Sequence, residues 1–206
     1  GWGGFAEKAC SAGANLVGLT LSTEQLAYAK NRLDQKGLGA KADFRLQDYR
    51  DCDGQFDNIA SIEMFEAVGE EYWPAYFQAV SRLLKRGGKA AIQTITIDEE
   101  LFDRYRKSTD FIQQYIFPGG MLPSPTVFEN LAEKHGLKVV SKKAFGKDYA
   151  ETLRRWRASF MGQLDQVMAQ NFDEPFVRTW EFYLAYCEAG FDYQSTDVYQ
   201  FYLEKA

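Results

Sequence analysis

Three observations predict an α/β fold, a doubly wound sheet carrying helical insertions. Strand-length apolar runs alternate with amphipathic stretches over short connections, the rhythm of βαβ units. The run Phe56–Ile62 stops abruptly at Glu63, Phe65 and Glu66, and open α/β sheets place ligands just beyond the carboxyl ends of their strands. The chain also opens on Gly1-Trp2-Gly3-Gly4, a loop type that permits close backbone approach at the entry to a helix.

Taken in order, the glycine loop leads into a short helical pattern through Lys8 and Cys10. In a nucleotide-binding α/β unit such a loop follows a strand, so the first strand is expected to lie outside this chain. Asn15 to Leu21 reads as a buried strand. Ser22 then serves as a helix N-cap, with Gln25 at the capping-box position before Leu26, Ala29 and Leu33. Gly37 and Gly39 close that helix, and residues 42–46 form a short strand ending at Gln47-Asp48. In the central strand, Ile59, Ala60 and Ile62 suit burial on both faces, as in a parallel sheet. Residues 72–84 form an amphipathic helix with Tyr76, Phe77, Val80, Leu83 and Leu84 on one side, and Arg86-Gly87-Gly88 turns into a strand over 89–97.

Beyond Ile97 the rhythm changes. Residues 98–116 read as helix, 117–125 as loop, 126–135 as a helix ended by Gly136, and 137–144 as strand. Two aromatic-rich helices are predicted over 149–170 and 175–189. Val198–Leu203 alternates as VYQFYL and reads as a last, antiparallel strand. No repeat or linker interrupts the chain, so residues 1–206 are expected to form one domain.

Composition narrows the partners. With 46% hydrophobic and 16% aromatic residues the chain is built for a core and for an apolar pocket or surface. A net charge of −5 argues against nucleic acid. Cys10, Cys52 and Cys187 lack metal-ligand spacing and are odd in number, which suits neither a zinc site nor a disulfide framework and fits a reducing cytoplasm. No stretch is long and apolar enough to span a membrane, which leaves a peripheral membrane role open.

The strand ending at Leu21 carries no acid of the kind that holds a nicotinamide cofactor's ribose. Thr20, Ser22 and Gln25 are placed to hydrogen-bond a ribose instead, and Asp48 an adenine amino group. For Ser22 and Gln25 a capping box uses the same atoms and stands level with that reading. Glu63 and Glu66 read locally as residues leading the next helix as readily as working carboxylates.

The motifs GWGGFAE, TLSTEQ, LQDYRD, FDNIASIEMFEAVG, YIFPGGMLPS and FGKDYAETLRRW, in this order, resemble the cyclopropane-fatty-acyl-phospholipid synthase family, which includes the mycolic acid cyclopropane synthases. The resemblance covers essentially the whole chain. It implies a class I methyltransferase, Rossmann-like doubly wound sheet with helical insertions, its first strand absent from this chain. The implied cofactor is S-adenosylmethionine, met by Gly1, Trp2, Gly3 and Gly4, by Thr20, Leu21, Ser22 and Gln25 at the ribose, and by Gln47 and Asp48 at the adenine. Glu66 and Tyr149 match side chains that hold a bicarbonate ion, the proton acceptor in the family reading because a side-chain carboxylate is open to alkylation. Gln93 would help anchor it. Cys187 matches a family active-site cysteine, although a buried core role on an aromatic helix suits it better. No metal is implied.

The implied reaction is methyl transfer to the cis double bond of an unsaturated phospholipid acyl chain, forming a cyclopropane fatty acid. Aromatic faces stabilise a carbocation without attacking it, which gives Tyr115, Phe117, Tyr149, Trp156, Phe160, Trp180 and Tyr183 a reason to surround an acyl channel. The expected setting is cytoplasmic, at the inner membrane face, with room for a homodimer. Two departures matter: Gln93-Thr94 stands where many members have His-Thr, and Ala67 where they read FEHVG. Glutamine can hydrogen-bond an anion but cannot carry a proton. A methyl-branched or methylene product, or a non-catalytic binding domain, therefore stand as alternatives. The lone histidine, His135, lies far from either motif and suits the negative end of a helix.

Overall fold

The computed structural model describes residues 1–206, which form two compact units, Gly1–Gly54 and Gln55–Ala206. In the first, α1 (Gly4–Ser11), β1 (Leu16–Thr20), α2 (Thr23–Gln35) and β2 (Ala42–Leu46) follow in order. β1 and β2 pair in parallel, from Leu16 opposite Ala42 to Thr20 opposite Leu46. Ala6, Cys10 and Leu33 are the buried centre, covered by Leu16, Leu38, Ala42 and Phe44. Gly3 precedes α1 at φ +82, and a Cβ there would sit 3.1 Å from Ala29, so both conformation and space call for glycine.

The second unit holds β3 (Phe56–Ile62), α3 (Trp73–Leu83), β4 (Leu84–Ile97), α4 (Glu99–Tyr105), α5 (Phe111–Tyr115), α6 (Pro125–Lys134), β5 (Leu137–Ala144), α7 (Gly146–Met161), α8 (Leu164–Met168), α9 (Glu174–Asp192) and β6 (Thr196–Lys205). Its sheet runs β3-β4-β6-β5, with β3 parallel to β4 and β6 antiparallel to both neighbours. One aromatic core centres on fully buried Phe65, whose ring lies 4.9–5.5 Å from those of Trp73, Tyr76, Phe77 and Phe128. A second joins Ala150, Leu153, Leu184, Phe191 and Val198, with Tyr149, Trp180, Tyr183 and Cys187 packed against it.

The strands form a two-stranded and a four-stranded sheet within the expected α/β fold, while several expectations for single elements are corrected. β3 is an edge of its sheet and is only half covered, with Ile62 50% exposed, whereas burial on both faces was expected. β1, expected to be buried, is partly exposed along its whole length and has one partner. The stretch 98–116 breaks after Tyr105 into α4 and α5, and 149–170 breaks at Gly162 into α7 and α8. Ser22 caps α2 by accepting the Gln25 N–H at 3.1 Å, but the reciprocal half of the capping box is not made, because the Gln25 side chain accepts from the Thr20 hydroxyl at 2.8 Å.

Candidate active site

The residues assigned to the cofactor all lie in the first unit. Gly3 enters α1 without any side-chain cap, so the amides of the helix's first turn, which have no partner within the helix, face outward. Such a terminus favours an anionic group. Trp2 is 53% exposed and meets Tyr28 edge-on at 5.4 Å, and Leu21 is also exposed. The polar side chains here bond one another. Thr20 Oγ1 accepts the Ser22 N–H at 3.1 Å, and Ser22 Oγ donates to Glu24 at 3.0 Å. Asp48 takes two hydrogen bonds from the Arg50 guanidinium, which with the Arg50 backbone N–H hold its carboxyl below the usual range. Gln47 Nε2 donates to the Asp51 carbonyl at 2.8 Å. The uncapped glycine turn and the exposed apolar faces of Trp2 and Leu21 fit a cofactor with a charged amino-acid end and a flat base.

The second unit builds a carboxylate centre at the carboxyl end of β3. Packing of Phe65 fixes the turn Phe65–Ala67 and carries Glu66 inward. Glu66 Oε1 accepts from the Ile95 N–H at 2.6 Å and the Thr94 hydroxyl at 3.0 Å, while Oε2 is buried without a partner. Burial raises its pKa above the ordinary 4.5, its hydrogen bonds oppose the rise, and the Glu63 charge adds to it.

Glu63, which the sequence offered as a helix-leading residue as readily as a working carboxylate, is the hub. Its Oε1 accepts from Gln93 Nε2 at 2.7 Å and its Oε2 from the Tyr149 hydroxyl at 2.8 Å. Gln93 is held in turn by Gln200, whose Nε2 donates to Gln93 Oε1 at 2.9 Å across the β4–β6 ladder. Tyr202 then donates to Gln200 Oε1 at 3.0 Å. Tyr149 sits in the first turn of α7, where Asp197 Oδ1 from β6 caps the helix by accepting the Gly146 N–H at 2.7 Å. A Cβ at Gly146 would stand 2.6 Å from that oxygen, so a larger residue would displace the capping carboxylate. Burial, then the Glu63 charge and hydrogen bond, drive the Tyr149 pKa far up, so the phenol stays protonated as a donor.

The expected pairing of Tyr149 with Glu66 around a bicarbonate is thus not what the geometry places together: Tyr149 and Gln93 converge on Glu63. The Tyr149 hydroxyl and one amide hydrogen of Gln93 are already engaged by Glu63, and two carboxylates stand here with no cation among the groups that shift Glu66 or Tyr149. These residues do not fit a further anion. Cys187 is half-buried against the second core, and burial with the Asp110 charge pushes its thiol up to about 12, which keeps it from acting as a thiolate. Of the aromatic set, Tyr149 meets Trp156 at 6.4 Å, Trp180 meets Tyr183 at 5.0 Å and Phe117 meets Tyr183 at 6.3 Å, whereas Tyr115 is 68% exposed. His135 ends α6 against the Leu131 carbonyl, away from this centre.

A family model described as mycolic acid cyclopropane synthetase matches residues 1–201. The chain is 45% identical over 204 residues to tuberculostearic acid methyltransferase UfaA1 of Mycobacterium tuberculosis, which covers 98% of this chain and 48% of that protein. It is 35% identical over 206 residues to the cyclopropane-fatty-acyl-phospholipid synthase of Escherichia coli, covering 97% of this chain and 50% of that one. The chain therefore spans about half the length of these curated relatives. Among solved structures, the mycolic acid cyclopropane synthase CmaA1 complexed with SAH and CTAB superposes with a TM-score of 0.91 at 30% identity, over 100% of this chain and 75% of that one. The cyclopropane synthase MmaA2 of Mycobacterium tuberculosis superposes with a TM-score of 0.91 at 27% identity, over the same shares.

Proposed function

Because the chain belongs to the mycolic acid cyclopropane synthetase family and has its Rossmann-like methyltransferase fold, we propose that it serves S-adenosylmethionine-dependent methyl transfer to the double bond of an unsaturated phospholipid acyl chain, residues 1–206 acting as one methyltransferase domain. The observation that carries this reading is the carboxylate centre at the end of β3, with an aromatic wall of Tyr149, Trp156, Trp180 and Tyr183 beside it. When bound, the cofactor supplies an electrophilic methyl group. Gly1, Trp2, Gly3 and Gly4 with the α1 N-terminus would hold its carboxylate, Thr20, Leu21 and Gln25 its ribose, and Gln47 and Asp48 its adenine, while the Ser22 hydroxyl serves α2 as its cap.

An alkene is a weak nucleophile, so the chain's part is to orient the acyl group and keep water from the cation that forms on it. The aromatic faces stabilise that cation. Tyr115, 68% exposed, and Phe117, 57% exposed, offer apolar surface on which a lipid can enter from a membrane face. For the product we assign a methylene or methyl-branched chain rather than a cyclopropane. Gln93, in place of the family's histidine, and the similarity to a protein named tuberculostearic acid methyltransferase support this. A saturated branch takes up reductant in addition. NMR of the acyl product decides: olefinic methylene or branched-methyl signals are expected, and cyclopropane ring protons would overturn the assignment.

A further inference from the structure

Glu63 lies one residue past β3 with φ +51, in the left-handed region where glycine rests without strain and a glutamate does not. A strained backbone at a ligand-facing position is retained when the side chain it presents is needed there. This side chain is the meeting point of the centre: one oxygen takes the Gln93 amide, the other takes the Tyr149 hydroxyl, and Gln200 fixes the orientation of Gln93. Glu63 is exposed, while Glu66 beside it is largely covered and has both bonds of Oε1 turned to the protein. Of the two carboxylates only Glu63 is open to a substrate.

We propose that Glu63 is the proton acceptor of the methyl-transfer reaction, a built-in carboxylate occupying the place that a bound bicarbonate would need. This rests on the methyl-transfer reading. The step balances without another reagent. The carbon–sulfur bond to the methyl group breaks and its electron pair leaves with sulfur, while the alkene π pair forms the new carbon–carbon bond. The acyl cation, after a hydride shift for a methylene product, then loses a proton from the transferred methyl. The C–H pair closes the new bond, the proton goes to Glu63, and the neutral acid returns it to water.

Two features answer the danger that a carboxylate attacks the cation instead. Each oxygen already accepts a hydrogen bond, which lowers its nucleophilicity, and the two donors hold the carboxyl in one orientation. Glutamine at position 93 suits this arrangement. It donates its amide proton to Glu63 permanently, whereas a histidine could itself titrate.

The test measures binding of ¹³C-labelled bicarbonate by NMR to the intact protein, its Glu63→Gly variant and its Glu63→Gln variant. Glycine suits the local backbone and empties the position; glutamine keeps it filled. Saturable binding is expected for Glu63→Gly alone. Saturable binding by the wild type, or none by a Glu63→Gly variant whose thermal midpoint matches the wild type, would overturn the proposal. Turnover gives a second reading. The wild-type rate should be the same in carbon-dioxide-free buffer as with added bicarbonate, and Glu63→Gln should lose a factor of about 10² to 10⁴ that bicarbonate does not restore. A wild-type rate that rises with bicarbonate, or a Glu63→Gln variant at the wild-type rate, would overturn it. If the wild type methylates no lipid at all, the methyl-transfer reading fails, and the binding measurements still decide whether Glu63 fills the anion position.

Discussion

Glu66 and Glu63 are three residues apart and have opposite circumstances. Glu66 is sunk beneath the Phe65 turn with one oxygen doubly bonded and the other without a partner, and burial raises its pKa above 4.5. The folded protein therefore holds this proton more tightly than the unfolded chain. Its contribution to stability is fully present below about pH 4.5 and is lost as pH rises through the raised folded value. Glu66→Gln keeps an acceptor for the Ile95 and Thr94 donors and removes the ionisation. The thermal midpoint of the variant relative to wild type should climb as pH rises from below 4.5 and then level off; a difference flat across that range would contradict the assignment. The sequence located both carboxylates at the strand end and paired Tyr149 with Glu66, whereas the structure bonds Tyr149 to Glu63. The contact that separates them, Tyr149 to Glu63, spans 86 positions, and no local pattern records which of two nearby acids a distant tyrosine reaches.

Among the elements, α2 and α7 start by different means. Ser22 caps α2 from its own chain, and its hydroxyl is used twice, accepting from Gln25 and donating to Glu24. Ser22→Ala should cost about 1 kcal/mol in denaturant unfolding, as for a lost N-cap, and leave the affinity for S-adenosylmethionine nearly unchanged by calorimetry. A large affinity loss at unchanged stability would restore the ribose role. α7 has no local cap and relies on Asp197 from β6, fifty-one residues away along the chain. Asp197→Ala should cost about 0.5–2 kcal/mol and lower turnover through the displaced Tyr149, while Gly146→Ala should do the same by steric contact. Normal turnover in both variants would separate the helix start from the site. No local pattern marks this cap, because its residue sits in a strand far from the helix. By contrast, the strands over 42–46 and 137–144 agree with expectation to the residue, with Lys41, Gln47 and Gly136 breaking the apolar pattern at three of their four ends.

For the whole molecule, the α/β class was readable from alternation alone, since burying one face of each element against the next admits few architectures. What alternation does not record is how many neighbours a strand has. NLVGLTL and FDNIASI read as doubly covered runs, yet β1 and β3 each lie at the edge of a sheet and stay partly exposed. The chemistry was readable only through motifs that span the chain, and the departure at Gln93 gained meaning only when its amide was found on Glu63. Methyl transfer to an acyl double bond is tested most directly by incubating the intact protein with S-adenosylmethionine bearing a fully deuterated methyl group and vesicles of saturated or unsaturated phospholipid. Mass spectrometry of the lipids is expected to find the label in the acyl chain of the unsaturated lipid only, with one deuteron lost from the methyl. Label in the head group, label in the saturated lipid, or a methyl that keeps every deuteron would contradict the account.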